Sequence, residues 1–314
     1  MKLKSFLHPL RSYRNRRQYK FYLSPKFREL MHSNPKKALD IYWQMQMQYP
    51  LNWDHPKTLN EKNFWLEGMA DTTLWTEYSD KYLVRRHISD MGLSHILTKL
   101  YGVWESANDI DFDSLPEKFV LKCNHDCGSY IIVPNKEELD RDSAREKLQK
   151  SLSQKYGYET CEPHYLHIHP LIIAEELIEN APSSFQSSSL IDYKFFCCDG
   201  KAQCCMVCYD RGEKTEAHDV YDLKDWTRYK NMSEKYLSQK FRALVPKPKN
   251  LGEMISVVET LAKGFPFVRI DLYNIADTRI IFSEMTFTPH GALQACFNQS
   301  AQLELGSLIT LPKS

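Results

Sequence analysis

The sequence predicts an α+β protein, in which strands, hairpins and helices are mixed rather than alternating. Two-residue alternation marks residues 118–123 and 267–273, and two further strands, 193–198 and 201–209, flank an Asp-Gly hairpin signal. Hairpin signals join consecutive strands directly, and helix-period stretches are confined to the region before Gly92, to residues near 143–155 and to residues near 250–264. A doubly wound parallel sheet needs a helix between successive strands, so this order argues against one.

Between about Pro35 and Gly92, Ala38, Leu39, Ile41, Tyr42 and Met45 recur at helix spacing, followed by Leu83, Val84 and Ile88 beside Lys81, Arg85 and Arg86. Residues 118–123 and 130–133 read as a hairpin whose tip carries polar residues, and a helix follows over 143–155. Residues 171–174 form a short buried strand ending in Glu175 and Glu176, and residues 180–189 a serine-rich surface loop. Asp199-Gly200 is a two-residue hairpin signal between strands 193–198 and 201–209, with Asp192 and Lys194 on one face. Asn250 and Glu253 supply the N-cap and N3 acid of a helix that turns Met254, Ile255, Val257, Val258 and Leu261 inward and stops at Gly264. In residues 267–273, Val268, Ile270 and Leu272 face the core while Arg269, Asp271 and Tyr273 face the other side, and a last strand runs from Arg279 to Phe287.

With 314 residues, 42% hydrophobic, 26% charged and a net charge of +1, the chain reads as soluble and globular, which excludes disorder and repeat classes. Nine cysteines, an odd and scattered number, argue against a disulfide framework and for reduced thiols in the cytoplasm. Cys205 and Cys208 make a C-x-x-C without the other half of a zinc set, a pattern that alternate strand residues also produce. Residues 123–127, Cys-Asn-His-Asp-Cys, read as a glycine-containing loop in preference to a Cys–His nucleophile. Up to Pro35 only Glu29 opposes a run of Lys and Arg, and no apolar run there is long enough for a signal or a membrane span. The protein is therefore expected in the cytoplasm, with the basic start read as a solvated arm in preference to a surface for an anionic membrane face or nucleic acid. Peripheral contact of residues 1–37 with the inner face of the membrane or with assembly machinery is the alternative, and no nucleic-acid partner is expected.

An acid interrupts the apolar stretch IFSEMTFTPHG at Glu284. If Asp277-Thr278 is the hairpin tip, antiparallel pairing sets Asp271 directly opposite Glu284, where like charges repel. Two arrangements resolve the repulsion: a hard divalent cation such as Mg²⁺ shared by both carboxylates, or pairing of each acid with Arg269 or Arg279. Thr286 lies on the Glu284 face and offers a further oxygen. Lys122, on a strand leading into the loop of residues 123–129, is placed to bring charge to a phosphate, and Lys194 and Arg211 are further cationic candidates.

These pieces together resemble the TupA-like ATP-grasp proteins, which are found with genes for bacterial surface polysaccharides. The resemblance runs from about Thr58 to Pro312 through LNEKNFWL, DKYLVRR, LYGVW, IDFDSLPEKFVLKCNH, LIIAEELIE, DYKFFCCDG, VPKPKNLGEM, KGFPFVRIDLYN and EMTFTP. It implies an ATP-grasp fold, two α+β subdomains clasping ATP with a helical N-terminal unit. The implied divisions are a basic helical segment over 1–50, a substrate-side subdomain over 51–100, a lid with the phosphate loop over 101–174, and a C-terminal subdomain with the Mg²⁺ site over 175–314.

By that resemblance, Lys122 touches the α- and β-phosphates and the loop carrying Asn124, His125, Gly128 and Ser129 closes over them. Glu175 and Glu176 lie near adenine and ribose, and Lys194 adds charge at the phosphates. Asp271 and Glu284, with Thr286, hold Mg²⁺, while Arg269 steadies an acyl phosphate. Lys81 and Arg85 match a family motif. The loop here has fewer glycines than related sequences, and Thr286 stands where many ATP-grasp enzymes have Asn.

The implied activity is an ATP-dependent carboxylate–amine ligase that forms an amide through an acyl phosphate. Its implied partners are a uronic-acid carboxylate of a capsular or other surface polysaccharide and an amino acid or other amine. Two rivals remain at this stage. One is a glycosyltransferase using the D-x-D of residues 109–113, and the other an inactive nucleotide-binding scaffold.

Overall fold

A computed structural model describes residues 19–180, 185–212, 216–233 and 244–313. Most of the basic start and residues 181–184 of the serine-rich segment therefore lie outside the described residues.

Helices α1 (Pro25–Ser33), α2 (Pro35–Met47), α3 (Leu59–Met69), α4 (Thr73–Ser79) and α5 (Val84–Asp90) form the N-terminal unit. Prolines open α1 and α2 where no helical N–H is needed, and Ser24 and Asn34 cap them. Thr58 and Glu61 close a reciprocal capping box on α3. Tyr22, Phe27 and Met31 are buried against Leu39, Tyr42 and Trp43, so the described part of the basic start is packed into a core.

The next unit is a four-stranded antiparallel sheet in the order β1 (Leu100–Trp104), β4 (Ile172–Glu176), β2 (Phe119–Cys123), β3 (Ile131–Val133). Helix α6 (Arg141–Leu152) covers it, two residues earlier at its start than the sequence pattern indicates, because Asp140 rather than a later residue caps it. The β2–β3 hairpin is as predicted. Strand β4 runs on through Glu175 and Glu176, so the 174/175 division falls inside a paired strand.

The second sheet is five-stranded and antiparallel, in the order β7 (Ala217–Asp222), β6 (Lys201–Tyr209), β5 (Asp192–Cys198), β8 (Phe267–Ile275), β9 (Arg279–Thr286). Asp199 and Gly200 both take positive φ, 45° and 75°, the backbone a two-residue hairpin requires. Helix α7 (Leu251–Ala262) packs on β5, β6 and β8, with Met254, Val258 and Leu261 buried. Asn250 does not cap it by side chain; its amide instead exchanges hydrogen bonds of 3.1 and 2.8 Å with Asn274. Helix α8 (Gln299–Ser307) closes on α3, and at Gly306 an added Cβ would stand 2.2 Å from the Lys57 carbonyl. The described cysteines are free, and Cys204, Cys205 and Cys208 are buried in the core around β6. Their C-x-x-C is thus strand packing, and burial pushes the Cys208 thiol up to about 12.

The β8–β9 register corrects the predicted turn. Ile275 pairs with Arg279, so residues 276–278 form a three-residue tip, with Ala276 and Asp277 at positive φ. Continued regularly, that register would set Glu284 opposite Ile270, facing the core. A bulge at Ser283 adds one residue to β9, and below it Asp271 pairs with Glu284 and Arg269 with Thr286. The predicted facing pair is present, by a route the hairpin tip alone does not give.

Candidate active site

Asp271, Glu284 and Thr286 share one face of β8 and β9, and Arg269 binds all three. Arg269 Nε donates to Asp271 Oδ1 at 2.7 Å, and its Nη2 donates to Asp271 Oδ2 at 2.7 Å, Glu284 Oε1 at 2.8 Å and Thr286 Oγ1 at 3.1 Å. Thr286 Oγ1 in turn donates to Glu284 Oε1 at 3.1 Å. Lys194, directly opposite Asp271 on β5, donates to Asp271 Oδ2 and lies 2.6 Å from Asp192 Oδ2. Arg211 Nη1 reaches the same Asp192 oxygen at 3.2 Å. Arg279, the alternative partner of the pair, instead forms a fork of two 2.9 Å bonds to Glu176.

Three acids thus meet three cations in a largely buried cluster, with Asp271 fully buried. Burial raises Asp271 and neighbouring Glu284 adds to this, while Arg269 and Lys194 oppose it. On Glu284 burial is outweighed by Lys194, Arg269 and Lys81, which hold it well below the usual carboxylate range. Burial would also lower Lys194, and Asp192 and Asp271 reverse that. The charges therefore stabilise one another, and removing one weakens the compensation of its buried partners.

Among the described residues, no group of three or more His, Cys, Asp and Glu side chains forms a metal cluster. The set here is two facing carboxylates with a threonine hydroxyl in hydrogen-bond contact, all hard oxygen donors. That fits an ion carried in on a nucleotide, whose other ligands are phosphate oxygens and water. Arg269 and Lys194 hold the carboxylate oxygens that such an ion would take over.

The second half of the site lies on the four-stranded sheet. Lys122 Nζ binds Glu175 Oε2, and Arg85 Nη1 binds Glu175 Oε1 at 2.8 Å, so a buried carboxylate is shared by two cations from different units. Glu175 and Glu176 point to opposite faces of β4. Hydrogen bonding to Arg279 lowers Glu176.

The loop after β2 is built from the inside. Asn124 donates to the His169 carbonyl at 2.9 Å and accepts from Leu171 N–H at 2.7 Å. His125 meets the Gln154 carbonyl at 3.0 Å, and burial lowers it. Ser129 donates to Asp126 at 2.5 Å and accepts from Cys123 N–H at 2.9 Å. These three side chains frame the loop, whereas Cys127 and Gly128, the latter at φ +96° with open space where a Cβ would be, form its exposed tip. Lys81 Nζ donates to the Asp126 carbonyl at 2.5 Å while its charge acts on Glu284, so the loop and the acid pair face the same region.

The D-x-D acids serve a turn: Asp111 accepts from Asp113 N–H at 3.1 Å, and Asp113 pairs with Arg141 at 2.8 Å. Sequence reasoning left three site residues unassigned. Arg85 stood in a family motif without an assigned role, and its contact with Glu175 joins positions 90 apart, which no local pattern reveals. Asp192 was visible as the alternate neighbour of Lys194. Glu162 is buried, takes hydroxyl bonds from Thr160 and Thr288, and is pushed up to about 7 by burial, with Arg269 and Glu284 acting on it.

Residues 62–310 match the family described as TupA-like ATPgrasp. No curated protein sequence matches the chain. Among solved structures, the D-alanine–D-alanine ligase of Helicobacter pylori is similar at 16% identity and a TM-score of 0.40, over 74% of this chain and 61% of that one. The D-alanine–D-alanine ligase of Bacillus anthracis complexed with ATP gives 15% and 0.44, over 74% and 65%. An L-amino acid ligase from Bacillus licheniformis gives 14% and 0.44, over 81% and 55%. The chain spans less than two thirds of the length of each of these ligases.

Proposed function

The chain belongs to the TupA-like ATP-grasp family, and we propose that it is an ATP-dependent carboxylate–amine ligase whose nucleotide lies between the two sheets. The observation that carries this reading is the Asp271–Glu284 pair, bridged by Arg269 with Lys194 alongside. Facing like charges, one of them fully buried and both held by cations, form a preorganised site for moving a phosphoryl group.

In the reaction, a carboxylate oxygen of the acceptor attacks the γ-phosphorus of ATP and ADP leaves. An amine then attacks the acyl carbon, phosphate leaves, and the amine loses a proton to give the amide. Lys122 and the backbone of the loop tip at Cys127 and Gly128 bind the α- and β-phosphates. Lys194 meets the terminal phosphate, and the Arg269 guanidinium, whose fork suits planar oxygen pairs, steadies the acyl phosphate. Asp271 and Glu284, with Thr286, would hold Mg²⁺, which supplies neutralisation of phosphate charge. Glu175 and Glu176 lie toward the adenine and ribose end, where Glu175 keeps Lys122 in place.

The acceptor is a uronic-acid carboxylate of a surface polysaccharide and the amine an amino acid; the support for this pair is the family resemblance. The protein is incubated with ATP, Mg²⁺, uronic-acid glycans and pooled amino acids, and ADP and product masses are measured. The expected product is glycan plus amino acid less one water, formed with one ADP. Consumption of a UDP-sugar without ADP would overturn the ligase assignment.

A further inference from the structure

Asp192 has no part in the ligand set described above, yet it is almost fully buried and takes two cations on one oxygen. Its Oδ2 meets Lys194 Nζ at 2.6 Å and Arg211 Nη1 at 3.2 Å, while its Oδ1 is buried with no hydrogen-bond partner among the described residues. A buried carboxylate oxygen left unpaired is costly, and selection for stability alone would remove it. Lys194 bridges from Asp192 to Asp271 and is itself almost fully buried. If Asp271 turns its oxygens elsewhere, a buried ammonium keeps its place only while another carboxylate holds it.

We propose that Asp192 is a positioning residue that keeps Lys194 aimed at the terminal phosphate of ATP when Asp271 releases it. The inference rests on the nucleotide site proposed above. The strand geometry favours it: Asp192 and Lys194 are alternate residues on one face of β5, so their contact does not depend on β8. The unused Oδ1 gives Asp192 a second acceptor for the ammonium as it moves off Asp271. Arg211, half exposed on the far side, anchors the carboxylate from outside.

The test is binding of a non-hydrolysable ATP analogue and of ADP, both with Mg²⁺, measured by calorimetry. Asp192→Asn is expected to weaken the analogue about tenfold while leaving ADP within about twofold, because Lys194 acts on the terminal phosphate alone. Equal loss for both nucleotides, or no loss for either, would overturn the proposal. The second comparison is Lys194→Met against Lys194→Met/Asp192→Asn, which stands even where the single Asp192 variant does not fold. Equal affinities for the analogue support action through Lys194, and a further loss in the double variant overturns it. Wild-type protein that binds nucleotide but forms no ADP with any carboxylate would defeat the ligase reading and leave this binding result standing.

Discussion

Asp271 and Glu284 stand directly opposite each other across β8 and β9 because Ser283 bulges out of the ladder between them and the hairpin tip. The facing carboxylates are the reason to expect a metal-dependent reaction here. Asp271→Asn and Glu284→Gln keep the shape and remove one charge each. Each is expected to cut ADP formation by roughly two orders of magnitude, the scale of losing about 3 kcal/mol of preorganised stabilisation. Removing divalent ions with a chelator should abolish turnover of the wild type, and restored Mg²⁺ should recover it. Wild-type rates in both variants would remove the metal assignment.

Arg269 serves Asp271, Glu284 and Thr286 at once through a planar fork. Lysine cannot reproduce that fork, so Arg269→Lys should lower stability by about 1–3 kcal/mol in urea unfolding. Arg269→Met leaves two acids facing each other unbridged and should cost about 3–5 kcal/mol. A neutral Arg269→Met result would show that Lys194 alone compensates the pair.

Glu162 sets a pH dependence. Burial raises it from 4.5 to about 7, so the folded state binds its proton more tightly than the unfolded chain. Stability from this group is retained below 4.5 and declines as pH rises through 7, by up to ~3 kcal/mol. His164 acts in the opposite sense, since burial lowers it to about 3 and its contribution is lost as pH falls below 6.5. The difference between wild type and Glu162→Gln isolates the acid. Unfolding measured from pH 4.5 to 7.5 should show the wild type losing ground to the variant as pH rises. Parallel profiles would mean that Glu162 ionises freely in the fold.

Lys122 and Lys118 lie on the same stretch of chain but in different surroundings. Lys122 meets buried Glu175, whereas Lys118 meets Glu179 at 2.8 Å with both side chains exposed. Lys122→Met is therefore expected to weaken ATP binding about tenfold or more by loss of a charge-assisted phosphate contact. Lys118→Met should change both binding and stability by less than about 1 kcal/mol. Equal nucleotide affinity in the two variants would place the phosphates away from Lys122.

Much of this architecture is local and so legible. The Asp199-Gly200 turn, the alternation that sends Val268, Ile270 and Leu272 into the core, and the β2–β3 hairpin each follow from a few adjacent residues. Less legible was β5, which is buried along its whole length. Helix α7 lies against this sheet and the charged cluster occupies the Lys194 face, so polar residues there are interior too.

By itself the sequence determined that an acid of β8 and an acid of β9 would share a face and need a positive partner, because strand period and antiparallel pairing are short-range geometry. Only the tertiary structure decided how. The Ser283 bulge set the register, Arg269 and Lys194 rather than Arg279 took the acids, and Arg85 crossed 90 residues to join Lys122 on Glu175. Those choices depend on which elements pack together and which charges are desolvated by that packing, and neither is encoded in the spacing of residues along one strand.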